Sequence, residues 1–168
     1  MIITLNGLSF IMPEFRVVPF SSLSKEQKLK AASIGWGSFK EVPNPLSLFI
    51  AKRISHDGGL AFTLLKGNEP MGYIAARIKK SGLQKTVIVS HLFTKNSIAL
   101  YRKTGKTVGE TLAEEVVKKA LEKGCTKLGA TLANKQAKRL LVRHVKRGAL
   151  QPSKSLNPLT KRYKLRRP

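Results

Sequence analysis

The sequence predicts an α+β fold, a mixed and mostly antiparallel sheet flanked by helices. Two observations carry this. Residues 60–93 hold three apolar, β-branched runs separated by turn-forming residues, the pattern of an antiparallel meander. After residue 107 the apolar period changes from two to 3.6, with Val108, Leu112, Val116 and Ala120 four residues apart. Within 168 residues these patterns fit a single domain, 1–168, with a basic C-terminal segment at 150–168.

Each element has its own justification. Arg16–Phe20 reads as a short first strand closed by Pro19. Ser24 is the expected N-cap of a helix beginning at Lys25, with Gln27 three residues on as its capping-box partner. Gly35-Trp36-Gly37 and Val42-Pro43-Asn44-Pro45 interrupt the chain before a second helix, expected over 46–54. The meander follows, with strands at 60–65, 72–78 and 86–93 and turns at 67–70 and 79–83. Residues 94–103 read as a long loop, and Gly124 stops the helix that opens at Val108. A strand is expected at 126–132. An amphipathic helix from Asn134 to Gly148 carries an apolar stripe of Ala137, Leu140, Leu141, His144 and Val145. Residues 161–165 form the last expected strand.

Charge is the unusual part of the composition. Lys and Arg number 32 against 9 Asp and Glu, a net of +23. The excess is lopsided: no acid follows Glu122, while Lys and Arg continue to Arg167. A surface of this kind draws anionic partners, nucleic acid or another polyanion first among them.

Several classes are excluded on simple grounds. A lone Cys125 forms no intrachain disulfide, and His56, His91 and His144 show no ligand spacing, so no metal is expected. No apolar run approaches the roughly 18 residues of a spanning helix, so no membrane partner is expected. The apolar start has no basic residue before Arg16, against a secretory signal. The expected location is the cytoplasm, free or within a particle. Gly105-Lys106-Thr107 ends like a Walker A loop, but G-x-x-x-x-G-K-[ST] demands glycine where Leu100 stands.

The element order and two motifs resemble the GCN5-related N-acetyltransferase (GNAT) family. The first motif is Thr104-Gly105-Lys106-Thr107-Val108-Gly109-Glu110-Thr111-Leu112, similar to the family's pyrophosphate loop [RQ]-x-x-G-x-[GA]. Matched through Leu112, Gly105 and Gly109 are kept, while Thr104 replaces Arg or Gln and Thr107 replaces the middle glycine. Shifted by two, Arg102 and Gly105 fit instead. In either register, backbone N–H groups at a helix N-terminus make an anion cradle, and the Thr107 hydroxyl is a further donor to phosphate. The second motif, from Asn134 and Ala137 to His144 and Gly148, is similar to N-x-x-A-x-x-L-Y-E-K-x-G-F with one helical turn added.

The resemblance implies an acetyl-CoA-dependent N-acetyltransferase. It implies acetyl-CoA contacts at Leu92, Phe93, Arg102, Gly105, Lys106, Thr107, Val108, Gly109 and Asn134. His144 takes the place of the family's tyrosine general acid, and His91, near the end of the preceding strand, is the candidate base. Tyr101 and Tyr163 are further donors. The scarcity of carboxylates disfavours a cationic acceptor and favours an amine associated with nucleic acid. The phosphate-contacting residues would be Lys135, Lys138, Arg139, Arg143, Lys146 and Arg147 on the helix, and Lys161, Arg162, Lys164, Arg166 and Arg167 in the tail. The alternative is a non-catalytic GNAT-fold basic protein that binds nucleic acid or serves as an assembly component.

Overall fold

A computed structural model describes residues 2–5, 8–11, 14–36, 60–131, 150–153 and 160–165 of the chain. The expected helix at 46–54 and the helix from Asn134 to Gly148 lie outside the described residues.

Two strands, β1 (Ile2–Leu5) and β2 (Leu8–Ile11), form a separate antiparallel hairpin that was not expected. Their register pairs Leu5 with Leu8 and leaves only Asn6 and Gly7 between. Strand β3 (Phe15–Pro19) runs into a short 3-10 turn at Phe20–Ser22. Helix α1 (Lys25–Trp36) then opens on the anticipated capping box: the Ser24 amide donates to Gln27 Oε1 at 3.1 Å, and the Gln27 amide to Ser24 Oγ at 3.1 Å.

The meander is β4 (Leu60–Lys66), β5 (Glu69–Ser81) and β6 (Gln84–Thr94). Its strands outrun the sequence-based bounds because each turn is only two residues long. Gly67 and Gly82 supply φ values of +58° and +57° there, so Glu69 and Pro70 are already in β5. Residues 94–103 are not simply a loop. Ser97 caps a short helix, α2 (Ile98–Thr104), by accepting the Leu100 amide at 3.2 Å, and Gly105 at φ +67° closes it.

Helix α3 (Val108–Glu122) follows, ended by Gly124 at φ +74°. Its four-residue stripe of Val108, Leu112, Val116 and Ala120 is fully buried. Strands β7 (Lys127–Thr131), β8 (Leu150–Ser153) and β9 (Thr160–Leu165) complete a seven-stranded sheet in the order β3-β4-β5-β6-β7-β9-β8. β8 was not anticipated because Pro152 reads against a strand. It lies on an edge of the sheet, where a missing N–H is tolerated.

All ladders are antiparallel except β6–β7, the two strands joined by the α2–α3 crossover. The core has two parts, one on each face of the sheet. α3 packs its stripe on Leu60, Phe62, Leu64, Ile74, Val87 and Leu128. On the other face α1 contributes Ala31 and Ala32 to a cluster with Phe20, Leu65 and Tyr73. This is the α+β architecture expected from the sequence.

Candidate functional site

The parallel ladder between β6 and β7 is short. Thr86 to Val89 pair with Lys127 to Ala130, and pairing stops there. Beyond it β6 stays with β5, Leu92 opposite Ile74 and Phe93 opposite Tyr73, while β7 stays with β9, Thr131 opposite Thr160. The ladder's C-terminal end, where β6 runs on past Val89 beside the last described residue of β7, Thr131, is called the V below. From Ser90 to Thr94, β6 presents an edge with no strand partner on its β7 side among the described residues.

A β-bulge sits where the V begins. Ala75 pairs with His91 and Ala76 with Val89, so Ser90 has no partner on β5. The extra residue shifts the alternation of side chains. Val87, Val89 and Leu92 face α3, whereas His91 joins Tyr73 and Phe93 on the α1 face. The His91 ring lies 6.2 Å from that of Phe93, and Phe93 lies 5.6 Å from Tyr73.

His91 is half-buried, and burial lowers its pKa from the ordinary 6.5. It is therefore a neutral imidazole at neutral pH, able to accept a proton. As pH falls through about 6.5, the unfolded chain takes up a proton before the folded one, so stability is lost below that point. A melting series from pH 7.5 to 5 should show this slope in the native protein and a shallower one in His91→Gln.

At the mouth of the V stands the start of α3, and Gly72 fixes its height. A Cβ built on Gly72 would lie 2.8 Å from the Phe93 carbonyl oxygen, 2.9 Å from Val108 Cγ1 and 3.1 Å from Thr94 Cα. Only glycine lets β5, the end of β6 and the first residue of α3 approach this closely. Sequence reasoning missed Gly72, since nothing local marks a contact with residue 108.

The approach to α3 uses up most of its own donors. The Gly105 amide donates to the Tyr101 carbonyl at 2.7 Å, and the Lys106 amide to Thr104 Oγ1 at 3.2 Å. Thr107 is the N-cap and Glu110 its capping-box partner. The Thr107 amide and hydroxyl donate to Glu110 Oε2 at 2.8 and 2.9 Å, and the Glu110 amide donates to Thr107 Oγ1 at 3.2 Å. In this structure the Thr107 hydroxyl donates to Glu110.

Among the described residues, the Val108 and Gly109 amides are left as first-turn donors without a recorded acceptor. Two aligned N–H groups at the positive end of a 15-residue helix are the kind of donors that can hold an anion. Arg102 and Lys103 occupy the last turn of α2 beside them in sequence, and Lys106 Nζ reaches Glu114 Oε2 at 2.6 Å.

Other sequence-singled residues fall as follows. Leu92 is a partly buried core residue and Phe93 part of the opposite cluster, so what they offer the V is backbone. Tyr101 is exposed on α2. Tyr73, by contrast, is fully buried, and its hydroxyl has no hydrogen-bond partner among the described residues; burial pushes its pKa up, so it stays protonated. Asn134, Lys135, Lys138, Arg139, Arg143, His144, Lys146, Arg147, Arg166 and Arg167 lie outside the described residues. Lys161, Arg162, Tyr163 and Lys164 hold register positions on β9, opposite Ala130, Gly129, Leu128 and Lys127. No group of three or more His, Cys, Asp or Glu able to hold a metal ion occurs among the described residues, and no helix there is long and apolar enough to cross a membrane.

No protein-family model matches the chain, and no curated protein matches it. Solved structures do. An aminoglycoside 6′-acetyltransferase type Ii superposes with a TM-score of 0.65 at 12% identity, covering 91% of this chain and 99% of that one. A GNAT-family acetyltransferase from Staphylococcus aureus Mu50 gives 0.61 at 12%, covering 91% and 100%. The aminoglycoside N-acetyltransferase AAC(6′)-Iy in complex with CoA gives 0.61 at 14%, covering 86% and 93%. At these identities the likeness shows the fold, and the fold is that of the GNAT acetyltransferases.

Proposed function

We propose that the chain binds acetyl-CoA in the V between β6 and β7 and transfers its acetyl group to an amine. The single observation that carries this reading is the conjunction at the mouth of the V: the β6 edge at 90–94, with no partner on its β7 side among the described residues, held by Gly72 against the start of α3, where the Val108 and Gly109 amides have no acceptor among those residues. The edge suits the amide-bearing arm of the ligand, and the two amides suit its pyrophosphate. The CoA complex of AAC(6′)-Iy, on the same fold, supports the choice of ligand.

Acetyl-CoA supplies an activated acyl group, a thioester. The acceptor nitrogen forms the new C–N bond as the C–S bond breaks. In this reading His91, neutral through burial, accepts the proton the amine gives up, directly or through water. His144, expected on the helix after β7, gives a proton to the departing thiolate. Arg102 and Lys106 add positive charge beside the phosphates. The Arg102→Glu/Lys106→Glu double variant should therefore weaken acetyl-CoA binding at least tenfold, since a charge-assisted contact contributes about 1.5–3 kcal/mol. Calorimetric titration checks this.

The acceptor is read as an amine on, or held against, nucleic acid, because a net charge of +23 repels free polycations. The test is amine-dependent release of thiol from acetyl-CoA, comparing a basic peptide free and bound to duplex DNA. Faster release with the bound peptide is expected. Equal release overturns the acceptor class, and no release from any amine by protein saturated with acetyl-CoA overturns the enzyme.

One observation favours a second reading, a GNAT fold without catalysis that serves as a basic binding or assembly component. Glu110 places a buried carboxylate in the first turn of α3 and takes up two donors that would otherwise face an anion. A chain that binds neither acetyl-CoA nor CoA is what this second reading expects.

A further inference from the structure

We propose that the end of the sheet opposite the V is a docking surface for nucleic acid, contacted through its phosphate backbone. The surface is built by the tip of the β5–β6 hairpin, the C-terminus of α3 and the first residue of β7. Lys79, Lys80 and Lys123 are exposed there, and Lys85 and Lys127 half-exposed. Among the described residues the only carboxylate at this end is Glu122, already held by Lys119 at 2.8 Å.

Fold requirements explain only part of this charge. Lys85 Nζ donates to the Lys123 carbonyl at 3.1 Å, a cation at the negative end of α3. Lys127 Nζ donates to Gln84 Oε1 at 2.8 Å. Nothing among the described residues engages the ammonium groups of Lys79, Lys80 or Lys123. Moreover, the register sets Lys80 directly opposite Lys85. Like charges placed this way destabilise a sheet. A polyanion laid across them removes the repulsion.

The geometry suits a phosphate backbone. Lys79, Thr86, Lys127 and Lys164 lie on one register line across β5, β6, β7 and β9. At a strand spacing of about 4.8 Å that line is about 14 Å long. On the α3 side a shallow groove of about 470 Å³ is lined by Ile78, Lys80, Lys85, Glu122 and Lys123. A membrane would call for several apolar side chains beside the lysines, and Leu83 is the one large exposed hydrophobic residue described at this end.

Helix α3 separates this surface from the mouth of the V by about 22 Å, its 15 residues at 1.5 Å each. Nucleic acid held here tethers the protein without filling the V. The inference does not depend on acetyl transfer, and its failure is separable from that of the acetyl-CoA reading.

The test uses the full chain, a fluorescein-labelled 20-base-pair duplex of mixed sequence, and anisotropy titrations over a range of NaCl concentrations. The Lys79→Gln/Lys80→Gln/Lys123→Gln variant should lower the slope of log affinity against log salt by about 2.7, at about 0.9 per phosphate contact. A charge-matched control in α1, Lys25→Gln/Lys28→Gln/Lys30→Gln, should change it by less than about 1. Acetyl-CoA stabilisation should be unchanged in the first variant. Equal slopes for the two variants, no salt dependence, or patch-dependent binding to phosphatidylserine vesicles but not to the duplex would each overturn the proposal.

Discussion

Gly72→Ala should destabilise the protein by about 1–3 kcal/mol, the usual cost of overpacking a core. The melting point should fall by roughly 2–12 °C, at about 2–4 °C per kcal/mol for a chain of this size. The cause is specific. The added methyl group would sit 2.8 Å from the Phe93 carbonyl oxygen and 2.9 Å from Val108 Cγ1. The carbonyl belongs to the backbone of β6, so relief requires β6 or α3 to move. Either movement shifts the Val108 and Gly109 amides relative to the open edge of β6. Gly72→Ala should therefore weaken acetyl-CoA binding beyond its effect on stability. Gly129→Ala is the matched control: its nearest neighbour, Ile88 Cγ1, stands at an ordinary 3.7 Å. Denaturation and acetyl-CoA titration of both variants decide the point.

Glu110→Ala should cost about 1–3 kcal/mol, because the Thr107 amide and hydroxyl both donate to this buried carboxylate and would lose their acceptor. Glu110→Gln should cost less than 1 kcal/mol, about the usual limit of a charge's interaction with a helix end, because glutamine serves in the same capping box. The pair separates two roles of one residue. If Glu110 also opposes a phosphate at the start of α3, Glu110→Gln should bind acetyl-CoA more tightly than the native protein. Denaturation with and without ligand measures both effects.

How much of this was legible in the sequence depends on the range of the interaction. The Ser24–Gln27 box, the stripe of α3 and its stop at Gly124 are local, and the sequence reading placed them correctly. The β1–β2 hairpin was also local: two short apolar runs flank Asn6-Gly7, a strong hairpin signal that the question of a leader peptide obscured. Thr107-Val108-Gly109-Glu110 fits the capping-box spacing as well as it fits a phosphate loop. Only the hydrogen bonds of Glu110 show that the box is formed.

The site itself was less legible. The sequence offered the whole stretch from Thr104 to Gly109 as a loop of donors; among the described residues only the Val108 and Gly109 amides there are left without an acceptor. The bulge at Ser90, which turns His91 to the α1 face, follows from pairing with β5 rather than from any residue type. The end of the β6–β7 ladder at Val89 and Ala130 is likewise a property of long-range pairing. Gly72 looked like an ordinary strand glycine until Val108 was brought against it.

The central claim, that the V and the start of α3 form an acetyl-CoA site, is tested most directly by the unfolding midpoint with and without acetyl-CoA. The buffer should be salty enough to suppress loose anion binding, with ATP and CoA in parallel. At about 100 times its dissociation constant, a ligand of the native state adds about 2.7 kcal/mol, or roughly 5–11 °C here. A shift of that size with acetyl-CoA and none with ATP is the expected result. No shift, or an equal shift with ATP, would contradict the account and leave a GNAT fold whose V does not hold acetyl-CoA.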